Sequence, residues 1–345
     1  MRWTKFTIVG LVPSIHALLR FSCSQLVVER LDPLVNPGEK VSPHLHQIIG
    51  GNAFNVSMDP TIAPSDQATC TTCTFAEDFS NYWTAVMFFR ARNGTFKRVP
   101  IKGNVNFEQS QGGMTVYYTP TLANGAVKKG SVTAFKKGFR MIIGNPTYRT
   151  EAEAKKFRQL TYTCLKDSMT RTGETLAFPT QPCPAGIMVN VRFPTCWDGT
   201  NLADSPDHMS HVAYPSSGTF ESNGPCPSTH PVKIPQLFYE VVWDTTKFKD
   251  KSLWPEDGSQ PFVWSFGDAT GLGNHGDYIF GWKGDALQRA MDNNCNINCP
   301  TLKSQSIAEG NKCIQQQKVS ENIDGWLSEL PGGMMVTGLG GTPIA

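Results

Sequence analysis

Leu237–Trp243, LFYEVVW, is built almost wholly from β-branched and aromatic residues. Such residues fit a pleated, half-buried surface, so the run reads as a strand. Four further runs have the same character: Tyr82–Ala91 (YWTAVMFFRA), Met114–Thr119 (MTVYYT), Phe139–Ile143 and Ile187–Phe193. Gly, Pro, Asn and Asp punctuate them, as turn chemistry requires. Helical periodicity is scarce. It is clearest over Thr150–Leu165, where Thr150 and Glu153 form a capping-box pattern, and over Asp285–Asn293. The pattern predicts a mainly β fold: a β-sandwich or jelly-roll-like single domain with long disulfide-stapled loops and a few short helices.

The 345 residues carry only 17% charged side chains, against about 25% in an ordinary soluble domain. Hydrophobic residues at 39% suffice for a sizeable core. A formal net charge of +2 excludes the basic balance that phosphate-backbone binding needs, so nucleic acid is not an expected partner. Arg2 and Lys5 precede an apolar stretch from Phe6 to about Leu19. This reads as a secretory signal over residues 1–17, with a cut no later than about residue 20. The stretch is too short and interrupted for a membrane span of ~20 apolar residues, and no later stretch is long enough. A single domain is expected over 21–330, followed by a flexible Gly-rich tail over 331–345. All ten cysteines follow the cut, an even number that suits up to five disulfides in an oxidising compartment. Sequence leaves their connectivity open. Asn55-Val56-Ser57 and Asn93-Gly94-Thr95 are acceptor sequons for N-glycosylation. A secreted, extracellular or cell-wall-associated product is the expectation.

Apart from His16, which leaves with the signal, the histidines gather in four short segments: Ser42–His46, Asp207–His211, His230 and Asn274–Asp277. If residues 44–46 are extended, the i, i+2 spacing sends His44 and His46 to one face. A helical turn over 207–211 would bring His208 and His211 together, with Asp207 as a partner for one ring nitrogen. Two pairs converging in one cleft would suit a divalent zinc or copper ion, with His44, His46, His208 and His211 as its candidate ligands. His275 is a further candidate, because the surrounding glycines let the backbone approach a ligand. His230 reads as structural.

Other chemistries find little support. No G-x-S-x-G elbow accompanies a serine, and Cys70-x-x-Cys73 in a secreted chain reads as two half-cystines. Asp198, Asp268 and Asp277 lie close in sequence to Trp197, Trp264, Tyr278 and Trp282. Carboxylates beside aromatic faces suit a glycan cleft, with acid–base cleavage by hydrolysis or by a lyase route; the same tryptophans read equally as core anchors, more so for most of them, and the aspartates as turn residues. The candidate catalytic set is therefore His44, His46, Asp198, His208, His211, His275 and Asp277. The expected partner is a polysaccharide or cell-wall glycan. The alternative is a non-catalytic wall-associated or metal-holding protein.

Several motifs occur in order: Phe21-Ser22-Cys23, Arg30-Leu31-Asp32-Pro33-Leu34-Val35, Ser42-x-His44-x-His46, Gly50-Gly51-Asn52-Ala53-Phe54, Cys70-x-x-Cys73, Tyr82-Trp83 and Gly112-Gly113-Met114-x-x-Tyr117-Tyr118. Cys196-Trp197-Asp198-Gly199, Asp207-His208-x-x-His211-Val212-Ala213-Tyr214-Pro215 and Gly271-x-Gly273-x-His275-Gly276-Asp277-Tyr278-x-x-Gly281-Trp282 follow. In this order they resemble the secreted fungal family catalogued as domain of unknown function number nineteen ninety-six, over about residues 21–330. Asn36-Pro37 departs from the pattern. The resemblance implies an extracellular protein, sometimes joined to cell-wall carbohydrate-binding modules. It carries no settled activity or site.

Overall fold

The computed structural model describes residues 19–120, 129–171, 173–200, 204–218, 224–293 and 295–338; the segment read as a signal lies outside these residues. Two antiparallel sheets dominate. One runs Leu19–Cys23, Met114–Thr119, Gln236–Trp243, Ile187–Arg192 and Leu160–Cys164 in spatial order, with Ile101–Lys102 paired to the end of Gln236–Trp243. The other runs Gln25–Glu29, His46–Gly50, Asn81–Ala85, His275–Ile279 and Arg140–Gly144. The LFYEVVW run sits at the centre of the first sheet, which is why it is so continuously apolar.

Strand alternation sorts the residues of the second sheet. Ile49, Tyr82 and Tyr278 form one cross-strand row and join the main core, whereas Ile48 and Trp83, with Asp277 beside them, form the next row on the opposite face. The inner face packs on the first sheet. Tyr239 donates across the gap to the Asp277 carbonyl at 2.9 Å, and the hydroxyls of Tyr82, Tyr118 and Tyr278 form a chain (2.9 and 2.8 Å) that ends on the buried Asp78. At Gly276 the sheets approach so closely that a Cβ would stand 2.8 Å from Val191 Cγ1. The outer face carries a smaller core of Leu26, Leu31, Leu34, Ile48, Phe54 and Trp83. This outer face is where the candidate site forms.

Five disulfides staple the loops: Cys23–Cys73, Cys70–Cys313, Cys164–Cys183, Cys196–Cys226 and Cys295–Cys299. No described helix is long and apolar enough to cross a membrane. The helix expected over Thr150–Leu165 is shorter than its periodicity suggested. Thr150 and Glu153 do form the capping box, but the α-helix covers Glu151–Ala154 and a 3-10 turn Lys155–Phe157. Leu160–Cys164 is instead an edge strand, paired with Ile187–Arg192, because Thr-Tyr-Thr buries better in the sheet than on a lone helix. The Asp285–Asn293 expectation corresponds to a helix over Ala286–Asp292.

Residues 331–338, read from composition as the start of a tail, pack against the body. Val336 is buried, Thr337 donates its amide to Gly267 at 2.7 Å, and Ala269 donates to Thr337 at 3.0 Å. Of the two readings open for the tryptophans, sugar platform or core anchor, burial selects the second. Trp197, Trp264 and Trp282 are all buried, and Tyr278 is fully enclosed. They are core anchors between the sheets.

Gly276→Ala tests the sheet approach. Overpacking at such a point destabilises by about 1–3 kcal/mol, so the thermal midpoint should fall; an unchanged midpoint would mean that the sheets do not need this close approach.

Candidate functional site

Leu45 is buried in the main core, so its neighbours His44 and His46 turn to the opposite side. Ser42 pins this segment by donating to the His44 carbonyl at 2.9 Å, and Ser265 Oγ donates to the Leu45 carbonyl at 2.7 Å. His46 then opens its strand opposite Ala85, while His275 opens a strand on the other side of the same partner. Sheet register therefore brings His275 beside the pair. His44, His46 and His275 each offer a ring nitrogen, all within 4.8 Å of one another.

Hydrogen bonds fix which nitrogens point inward. His46 Nδ1 donates to the Leu31 carbonyl at 3.0 Å and His275 Nδ1 to the Gly273 carbonyl at 3.0 Å. A neutral ring that donates from Nδ1 carries its lone pair on Nε2. His46 Nε2 is buried with no hydrogen-bond partner among the described residues. His275 Nε2 lies 3.2 Å from His44 Nε2, where only one of the two can carry a proton. Burial holds the rings neutral: His46 and His275 are each pushed down to about 4, and His44 is lowered by burial and then by its two neighbours.

Two carboxylates stand beside the rings. Asp277, two residues beyond His275 on the same face, has a buried Oδ2 without a partner among the described residues. Its carboxyl is pushed far up by burial and then by Asp32. Asp32 Oδ1 accepts from the Leu34 and Val35 amides, both at 3.0 Å, and burial raises its carboxyl too. All of this opens into a cavity of about 530 Å³ lined by Asp32, His44, His275, Asp277, Phe266 and Arg149, among others. Arg149 is held in place by donating to the Pro146 and Tyr148 carbonyls and to Thr337 Oγ1.

The other predicted residues lie in a second network. His208 has a left-handed backbone (φ 54°), so residues 207–211 do not make the helical turn that would pair it with His211. Its partner is Asp204 rather than Asp207: Nδ1 meets Asp204 Oδ1 at 2.6 Å, and Nε2 meets the Leu34 carbonyl at 3.2 Å. That carboxylate raises the His208 imidazole. Asp207 instead accepts from Ser205 Oγ and the Met209 and Ser210 amides. His211 Nδ1 meets Ser205 Oγ at 2.9 Å, and burial lowers its imidazole. Asp198 accepts from the Thr200 amide, and its own amide donates to the His211 carbonyl. His230 is tied to Thr229 and the Ser210 carbonyl. His208, His211 and Asp198 thus make none of the contacts that define the three-histidine cluster. His208 does reach the site indirectly, by fixing Leu34 two residues after Asp32.

Sequence reasoning passed over Asp32 as a site residue; its signal was the Asp-Pro pair, where an acceptor side chain turns the backbone into the following residues. Asp268, noted beside Trp264, is buried and accepts from Thr270 and from the Gly273 amide, which shapes the loop leading to His275.

The depressed histidines link pH to stability. Their folded values near 4 lie below the unfolded 6.5, so between pH 6.5 and 4 the unfolded chain binds protons that the folded chain refuses. Their contribution is full above pH 6.5 and is lost as pH falls through 4. Asp277 and Asp78, raised by burial, act in the opposite sense, so the check is differential: between pH 6.5 and 4 the thermal midpoint of chelator-treated wild type should lose more, or gain less, than that of His275→Gln; an identical pH slope would place the protons elsewhere.

No curated protein and no solved structure matches the chain. A family model matches from Asp32 to Trp282, a span that contains every residue of the three-histidine cluster and both carboxylates. The chain therefore belongs to the family described as Domain of unknown function (DUF1996), matched over residues 32–282.

Proposed function

We propose that His44, His46 and His275 hold one divalent first-row ion, zinc or copper, through their Nε2 atoms, and that the centre is catalytic. The observation that carries this reading is the pair of Nδ1-to-carbonyl bonds on His46 and His275, which aim bare Nε2 lone pairs at one point. Ligating histidines commonly donate their other nitrogen in this way. Three protein ligands beside an open cavity describe a catalytic site, since a structural zinc site fills all four positions from the protein.

An ion here would polarise a bound water or substrate oxygen. Asp277 and Asp32 are the acid–base groups: burial favours the protonated form of Asp277 most strongly, which suits it to donate a proton to a leaving group, while the Leu34 and Val35 amides on Asp32 Oδ1 favour its carboxylate, which can accept one. Neutral imidazoles and paired carboxylates are the groups that glycoside hydrolysis or uronate elimination uses, and an extracellular polysaccharide is the substrate class we propose. With Trp197, Trp264 and Trp282 buried, the sugar would be held by Asn36, Thr147 and Arg149, with Phe266 as the aromatic side chain lining the cavity. Five disulfides support an extracellular setting.

Metal analysis after loading and dialysis tests the centre. One ion per chain is expected, retained near pH 5.5 because the imidazoles are already neutral there, and lost in His46→Ala and His275→Ala but kept in His211→Ala. Absence of stoichiometric metal removes this reading. A polysaccharide panel then tests catalysis: Asp277→Asn should keep the ion and lose turnover, while bound metal without turnover on any substrate would leave a metal-holding protein.

A further inference from the structure

A second groove, of about 750 Å³, lies away from the histidines. Ala91, Arg92, Asn93 and Thr95, in the turn between the paired strands Met87–Arg90 and Phe96–Arg98, line it together with Leu253 and Trp326. Trp326 sits on the strand Trp326–Leu327, paired opposite Lys97, and is 51% exposed. Every other described tryptophan is buried, so this ring is an exception that the core does not explain. Leu253 beside it is 40% exposed.

The hairpin tip on the groove's rim is the sequon Asn93-Gly94-Thr95. Ala91 donates its amide to the Thr95 carbonyl at 2.8 Å, Gly94 donates to Ala91 at 2.9 Å, and Gly94 takes the left-handed conformation (φ 83°) that closes the turn. Asn93 Oδ1 accepts from both the Thr95 amide (3.1 Å) and the Thr95 hydroxyl (2.8 Å). Those bonds engage the amide oxygen, while Nδ2 of this exposed side chain has no hydrogen-bond partner among the described residues. The second sequon differs, since Asn55 Oδ1 accepts from the adjacent Val56 amide and no exposed tryptophan shares its surroundings.

We infer that Asn93 carries an N-linked glycan whose first sugar rings lie on Trp326. In the modification, Asn93 Nδ2 bonds to C1 of an N-acetylglucosamine donated by a lipid-pyrophosphate-linked oligosaccharide. The C1–O bond breaks, the pyrophosphate leaves with its electron pair, and the amide gives up one proton. The apolar face of a pyranose covers an indole well, which accounts for an exposed tryptophan within reach of the acceptor.

The test uses the full chain expressed through a fungal secretory host. Enzymatic glycan release in ¹⁸O-water should convert Asn93 to ¹⁸O-labelled Asp in peptide mass spectra, and Asn93→Gln should lose the mass of one glycan. Acrylamide quenching of tryptophan fluorescence should rise on release of the glycan from native protein. In Trp326→Ala that rise should vanish while the Asn93 glycopeptide persists. An unmodified Asn93, whether or not the chain is secreted, overturns the inference; so does a modified Asn93 whose removal leaves the quenching of Trp326 unchanged.

Discussion

The strand His275–Ile279 must serve two environments at once, and the architecture follows from how its alternation meets both. Gly276 and Tyr278 face the other sheet; His275 and Asp277 face the cavity side. A Cβ at 276 would press on Val191, 2.8 Å away, beside Tyr239, which donates to the carbonyl of Asp277. That bond fixes the strand's height over the core. The position of His275 relative to His46 is consequently set by sheet packing rather than by any contact between the rings, and rigid strands place site residues more firmly than loops do.

Much of this was readable in the sequence wherever a strict period of two governs. Ser42–His46 alternates around Leu45, and a buried leucine between two histidines has only one extended solution that leaves both rings on one face. His275-Gly276-Asp277-Tyr278 carries the same rule. The pairing of the two segments was not readable, because they are joined by Asn81–Ala85, which lies between them in the sheet and supplies no histidine. The 207–211 segment misled for a physical reason. Its i, i+3 spacing matters only if the backbone is helical, and the left-handed His208 breaks the turn, so the two rings find Asp204 and Ser205 instead.

Aromatic residues were ambiguous in a different way. Trp next to Asp suits a sugar site and suits a strand end equally, since both place a large ring beside a turn carboxylate. Burial separates the two, and burial is a property of the sheet pairing. The same holds for Leu160–Cys164, whose apolar spacing fits a helix until an edge position beside Ile187–Arg192 becomes available.

The charge pattern of the cavity floor has few stable solutions. Three imidazoles and two carboxyls are drawn into one region, and neither Asp32 nor Asp277 has a Lys or Arg within salt-bridge distance among the described residues. An unpaired buried carboxylate is expensive, and a buried imidazolium next to two more rings is equally so. Without a cation, burial keeps the imidazoles neutral and raises both carboxyls. Neutral rings need only one proton moved to take an ion: the one held between His44 Nε2 and His275 Nε2, which would pass to His44 Nδ1. An ion's charge would favour ionisation of both carboxyls, and Asp32, whose Oδ1 already accepts two backbone amides, would ionise first, leaving Asp277 as the proton donor and Asp32 as the acceptor. Catalytic readiness and metal occupancy would then be one linked equilibrium, set by the depth at which the sheet buries His46 and Asp277.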